Sequence, residues 1–180
     1  MTDVCLVGKE ELALRAELLA YENARSALSA YDLREPYENT VAVETVSLGM
    51  AVSLLGDLDW YLRRLADDAL VREPSIDPEE WLSRSLATAV RDGDVAPEET
   101  GTHLKVYGLD RTRPADGPEE GDQNEADATD DESGPDLPRR PRGRLVEPMY
   151  VTRTDGDVPE YDLRDVEETV VVRVTPDEFS

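Results

Sequence analysis

His103 is the only histidine among the 180 residues, so zinc hydrolysis or a Ser-His-Asp relay would have to run through that one imidazole. It follows Gly101-Thr102 just ahead of a short β-like run and has no metal-spaced partner, which reads as a strand-edge histidine. Asp92-Gly93-Asp94 opens like a calcium loop, but the later oxygen ligands and the bidentate glutamate are missing. Glu17 falls on a helical face with Ala13, Leu14, Tyr21, Ala24 and Leu28, where an ionised carboxylate needs a partner or a shifted pKa. An arginine partner, or a place at the border of that face, accounts for it without catalysis. Gly8 is followed by Lys9-Glu10 rather than by the further glycines of a dinucleotide turn, and no GxxxxGK[ST] loop occurs. We therefore assign no catalytic residue, no metal site and no cofactor.

The tryptophans carry more information. Projected at about 100° per residue, residues 48–70 give an apolar stripe of Leu48, Val52, Leu55, Leu58, Leu62, Leu65 and Ala69. Trp60 falls opposite that stripe, with Asp57, Arg64 and Asp67 beside it. Such a face can bind a partner, with the indole stacking and the charged neighbours orienting; cover by a second element of the same fold is the plainer explanation. Trp81 repeats the pattern more mildly, off the stripe of Leu82, Leu86, Ala89 and Val90. The leading expectation is a non-enzymatic module that binds a protein partner, or itself, through Trp60 and Arg64. The rival is a small-molecule or nucleotide binder, or a minor hydrolase, built on the turn 32–38 (Asp32, Arg34, Glu35) with Glu17 or His103. Open α/β sheets bind ligands at the carboxyl ends of strands, where Gly8 and the loop after Val46 would lie.

These side chains need a scaffold, and its elements are legible in outline. Residues 4–7 are a short apolar run closed by Gly8, a buried strand. Residues 10–31 hold strong helix formers and no Gly or Pro, and predict the first helix. Residues 41–46 are β-branched and predict a second strand, 48–70 a second helix. Asp77-Pro78-Glu79-Glu80 has the form of a helix start, so a third helix is expected from there to about Gly93. Residues 104–107, 145–152 and 169–175 read as strands. The expectation is one α/β domain with a mixed sheet of about five strands and three main helices, a two-layer α+β arrangement being the alternative. Its core, 1–110, runs strand-helix-strand-helix-helix-strand. Residues 111–144 hold Ala115, Ala126, Ala128 and Leu137 as their only apolar side chains and predict a disordered acidic Pro/Gly linker ending in an arginine cluster. The two strands of 145–180 are too few to fold alone and would complete the same sheet.

Composition sets the solvent. There are 42 Asp and Glu against 19 Lys and Arg, a formal charge of -23. Lys9 and Lys105 are the only lysines, and the other 17 bases are arginine. The excess is spread along the chain, with balances of -12 over 1–110, -8 over 111–138, +4 over 139–144 and -7 over 145–180. Short acids hold water and cations in concentrated salt, whereas lysine stems expose apolar surface, so this composition suits a high-salt cytoplasm. Arg139, Arg140, Arg142 and Arg144 form the one basic cluster, without aromatic residues between them. At about 1 M salt the Debye length is only about 3 Å, so four arginines on such a chain are not expected to hold nucleic acid. The start, Met1-Thr2-Asp3-Val4, has neither a basic region nor an apolar run of leader type. The longest uncharged stretch with apolar weight, 45–56, is short of the roughly 20 residues of a membrane span. With Cys5 as the single thiol, no intramolecular disulfide can form, and a cytoplasmic location is expected.

Val4-Cys5-Leu6-Val7-Gly8, Tyr31-Asp32-Leu33-Arg34-Glu35-Pro36-Tyr37, Val43-Glu44-Thr45-Val46-Ser47-Leu48-Gly49, Leu104-Lys105-Val106-Tyr107-Gly108 and Leu145-Val146-Glu147-Pro148-Met149-Tyr150 resemble phrases of a small haloarchaeal family classed as a domain of unknown function. The resemblance covers both ordered parts, with the linker as a variable insertion. It implies no reaction and brings no functional residue with it.

Overall fold

The computed structural model describes residues 1–110, 143–154, 158–163, 166 and 168–179. The linker expected over 111–144 thus lies outside the described residues except at Gly143 and Arg144, as do Arg139, Arg140 and Arg142. In chain order the strands are β1 Thr2–Gly8, β2 Thr40–Thr45, β3 Ala66–Arg72, β4 Trp81–Ser83, β5 His103–Asp110, β6 Arg144–Thr152 and β7 Glu168–Arg173. They form one mixed sheet in the order β2-β1-β3-β4-β7-β5-β6. All neighbours run antiparallel except β4 and β7. The helices are α1 Leu14–Ala20, α2 Glu22–Leu28, α3 Leu48–Asp57, α4 Asp59–Leu65, α5 Arg84–Asp92 and α6 Pro176–Phe179.

The mixed α/β class is the one expected, but the described residues hold seven strands and six helices where about five and three were predicted. The helix expected over 48–70 breaks at Leu58 and stops at Leu65, after which Ala66–Arg72 is a strand. Ala66, Ala69, Leu70 and Arg72 are good helix formers, yet pairing Leu70 with Cys5 and Val71 with Val4 of β1 buries the two apolar side chains on opposite faces of the sheet; tertiary pairing outweighs local propensity there. At Asp77 the carboxylate does accept from the N–H groups of Glu79 and Glu80, both at 2.8 Å. The chain then enters β4 instead of a helix. The real cap is Ser83, whose Oγ accepts from Leu86 N at 3.1 Å, and α5 ends as expected at Gly93, φ 83°, the left-handed position that glycine occupies without strain. The helix expected over 10–31 is divided by Tyr21, which is extended (φ -95°, ψ 127°).

Helices α1–α5 pack on one face of the β2-β1-β3-β4 half of the sheet, where Val4, Leu6, Val41, Val43, Ala69, Val71 and Leu82 meet Leu14, Leu18, Leu55, Leu58 and Leu86. A second apolar cluster lies on the opposite face and draws Cys5, Ala42, Leu70 and Trp81 together with Tyr107, Val170, Val172 and Val174. Curling of the sheet brings these together. Strands β3 and β5 are three places apart, about 14 Å at the usual spacing of about 4.8 Å. Asp68 of β3 nevertheless accepts from Lys105 Nζ at 2.6 Å and Tyr107 OH at 2.7 Å, both on β5. The edges approach too, since Glu38 N, just before β2, donates to Gly143 O, just before β6, at 2.9 Å. Burial opposes the charge of Lys105, but the Asp68 carboxylate and its hydrogen bond outweigh it and raise the ammonium above its usual pKa of 10.5. Burial and the same carboxylate push Tyr107 upward as well.

Two outcomes follow. Asp68→Ala leaves the largely buried Lys105 without its anion and should cost about 3 kcal/mol in chemical denaturation, part of which Asp68→Ala/Lys105→Met restores; wild-type stability in the single variant would remove the clasp from the account. Cys5 is fully buried, and burial raises its thiol from 9.0 to about 12. It should react with a disulfide reagent at pH 8 only as fast as the chain unfolds. Between pH 9 and 12 the unfolded thiol ionises while the native one keeps its proton, so its share of stability, complete below pH 9, is lost across that window, and the melting curve of Cys5→Ala should be flatter there.

Candidate functional site

Trp60 stands at the second position of α4, half exposed at 50 %. Arg64, one helical turn on, places Cζ 4.1 Å from the indole centroid, a cation–π arrangement on the helix surface. Tyr61 and Tyr21 meet the indole edge-on, with centroids at 5.1 and 5.8 Å, and each other at 5.2 Å. The break at Tyr21 that divides α1 from α2 supplies the second tyrosine. Asp59 anchors the start of α4: it takes Arg84 Nη1 at 2.8 Å and Arg63 Nε at 2.9 Å. The hydrogen bond from Arg84, followed by the charge of Arg63, holds its carboxyl below the usual range despite some desolvation.

The four residues expected on this face separate. Trp60 and Arg64 come together. Asp57 closes α3 and Asp67 lies on β3, both exposed and neither in an ion pair among the described residues. Asp67 leaves the face because the chain is no longer helical after Leu65. Trp81, expected on a helix, is a buried β4 residue beneath Arg72, whose Cζ is 4.7 Å from its ring.

A cleft of about 820 Å³ opens beside Gly8, between α1, the turn before β2 and the start of β6. Its walls are apolar at Val7, Leu12 and Leu145, and its charged lining includes Arg15, Glu35 and Arg144; Arg15 and Glu35 are paired at 3.0 Å. Asn39 organises it. Its backbone is left-handed (φ 57°), which asparagine tolerates better than most residues. Its Oδ1 accepts from Leu14 N at 2.8 Å, its Nδ2 donates to Lys9 O at 2.9 Å, and its carbonyl accepts from Gly8 N at 2.9 Å. It thus caps α1 from a distance, in place of Ala13, whose side chain cannot. Gly8 fits because it has no side chain: a Cβ there would lie 2.7 Å from Leu14 Cβ and 2.8 Å from Asn39 Nδ2.

Of the ligand-pocket residues expected from the sequence, Glu35 lines this cleft and Glu17, Asp32, Arg34 and His103 do not. Glu17 is exposed on α1 because the break at Tyr21 narrows the buried face to Leu14 and Leu18. Arg34 bridges to Ala42 on the outer edge of β2 and reaches Asp3 at 3.5 Å. His103 opens β5, its carbonyl accepting from Val174 N at 2.9 Å. Arg15 and Arg144 are not legible as neighbours in the sequence because only the fold brings them to one cleft, whereas Asn39 directly follows the turn 32–38. Among the described residues no group of three or more His, Cys, Asp or Glu could hold a metal ion, and no helix is long and apolar enough to cross a membrane.

The model of a family of unknown function (DUF5804) matches residues 2–109, a span that includes Gly8, Asn39, Trp60 and Arg64. No curated protein and no solved structure matches the chain.

Gly8→Ala should destabilise the fold by about 1–3 kcal/mol through the contact with Leu14 and Asn39, and Asn39→Ala should lower the helical signal with it. Thermal melts followed by circular dichroism test this, and an unchanged Gly8→Ala melt would show that the loop yields at no cost.

Proposed function

The chain belongs to that family of unknown function, and we propose that it works as a non-enzymatic interaction module whose contact surface is the Trp60–Arg64 face of α4. The observation that carries this reading is the half-exposed indole held by Arg64, Tyr21 and Tyr61. Tryptophan, tyrosine and arginine are the residue types that dominate binding energy at protein interfaces. Rings already packed against one another lose little further freedom when a partner covers them. The acid-rich, lysine-poor composition supports a high-salt cytoplasm as the setting. There, long-range charge attraction is screened within a few ångströms, and burial of aromatic surface is the contact that keeps its strength. The occupant is a protein partner; a second copy of the chain is distinguished by sedimentation.

The cleft beside Gly8 favours a second reading, a small-molecule or nucleotide binder, hydrolytic or not. Its apolar walls with a few charged groups have the general make-up of ligand sites, and Glu10, Glu35 and Glu38 are the acids in its lining.

Affinity purification of the intact chain from its native host at native salt, beside Trp60→Ala, tests the first reading. Trp60→Ala should keep the wild-type melting curve and weaken the isolated partner about 30-fold, the equivalent of about 2 kcal/mol at a hot spot. The same co-purifying proteins, the same affinity and the same sedimentation profile in both would overturn it.

A further inference from the structure

A second polar cluster lies where β6 and β7 end. Arg173, the last residue of β7, is 9 % exposed. It donates from Nε to Glu80 at 2.7 Å, from Nη1 to Thr100 Oγ1 at 2.9 Å and from Nη2 to Asp77 at 3.1 Å. Arg153, just past β6, donates from Nη2 to both oxygens of Glu80, at 2.8 and 2.7 Å. Its Nε is buried and has no hydrogen-bond partner among the described residues. Two guanidiniums carry ten N–H donors, and Glu80, Asp77 and Thr100 accept only part of them. The cluster is short of acceptors, not of charge.

A cleft of about 670 Å³ opens at this point, lined by both arginines with Ser75, Pro97, Gly101 and Thr102 among others. Gly101 keeps it open over the guanidiniums. A Cβ at that position would stand 3.6 Å from Arg153 Nη1 and 3.7 Å from Arg173 Cζ, so a longer side chain there would occupy the space above them.

We propose that this cleft binds a small oxyanion, a carboxylate or a phosphate group, through Nη1 of Arg153, whose N–H groups Glu80 does not take and which lies beside Gly101. An ionised oxygen accepts from a guanidinium about twice as strongly as a neutral one and brings no donor of its own. Asp77 and Glu80 do not repel it as free acids would, because each is already engaged by a guanidinium. The two acids and two arginines leave the network neutral, so hydrogen-bond geometry at short range selects the ligand. Glu98 at the lining disfavours bulky polyanions. Unlike the aromatic face, this site draws Arg153 and Arg173 from outside residues 2–109, and its failure leaves the Trp60 reading untouched.

The test titrates the full chain with inorganic phosphate and with acetate at constant ionic strength against chloride, by calorimetry and by Tm. One of the two should bind saturably and raise Tm, identifying the group. Arg153→Met should weaken that binding at least tenfold, and Gly101→Leu, which keeps both arginines and fills the cleft, should do the same and decides the matter if Arg153→Met fails to fold. Arg91→Met, which removes an exposed arginine paired with Asp92, should bind as wild type. No saturation beyond chloride, or equal affinity in Gly101→Leu and wild type, or an equal loss in Arg91→Met, overturns the proposal.

Discussion

Asp68 is the point on which the shape of this molecule turns. A sheet in which β4 and β7 lie between β3 and β5 would, if flat, keep Asp68 and Lys105 out of contact even with both side chains extended toward each other. Their 2.6 Å ion pair, with Tyr107 donating at 2.7 Å, therefore records a strong curl and fastens it. The curl lets the face of β1 and β3 that carries Cys5 and Leu70 bury itself against Tyr107, Val170 and Val172, with no second layer of helices. Such a pair is costly to bury and more costly to break, so it specifies one arrangement of the two halves more than it adds stability.

The same economy explains how so acidic a chain folds. Its bases are few, and five of the described ones sit on an acid that is partly or largely withdrawn from water: Lys105 on Asp68, Arg72 on Asp3, Arg173 and Arg153 on Glu80, Arg84 on Asp59. Lys105 is one of the two lysines, and its site asks for a compact ammonium that fits beside one carboxylate and near the rings of Tyr107 and Tyr150, at 5.1 and 5.8 Å. A planar guanidinium is a poorer fit to that space.

What could be read from the sequence follows the range of the interactions involved. Strands β1, β2, β5, β6 and β7 announce themselves by β-branched runs, and Gly93 ends its helix by its own geometry. Ala66–Arg72 and Trp81–Ser83 do not, because their conformation is chosen by partners elsewhere in the chain; Asp77 makes the very hydrogen bonds of a helix start and then leads into a strand. Glu17 was misplaced for a related reason. The projection assumed an unbroken helix, and the interruption at Tyr21, paired with Trp60 and Tyr61 across α4, cannot be seen in either segment alone. That Trp60 and Arg64 are neighbours is legible because a four-residue spacing on one helix is local, whereas Asp67 leaves that face where the helix ends.

The match to residues 2–109 and the fold do not have the same limits. Strand β5 lies within the match, yet its sheet neighbours are β7 and β6, both from residues beyond it. Within 2–109 the Asp68 clasp ties β5 to β3 through side chains, and no ladder of backbone hydrogen bonds connects them. Two strands held by one polar clasp without the intervening β7 would leave the backbone edges of β4 and β5 unpaired, a state that buried N–H and C=O groups do not tolerate. The sheet is continuous only with β7, and with it Arg173, which ties the turn at Asp77 and Glu80 to the strand that joins β4 to β5.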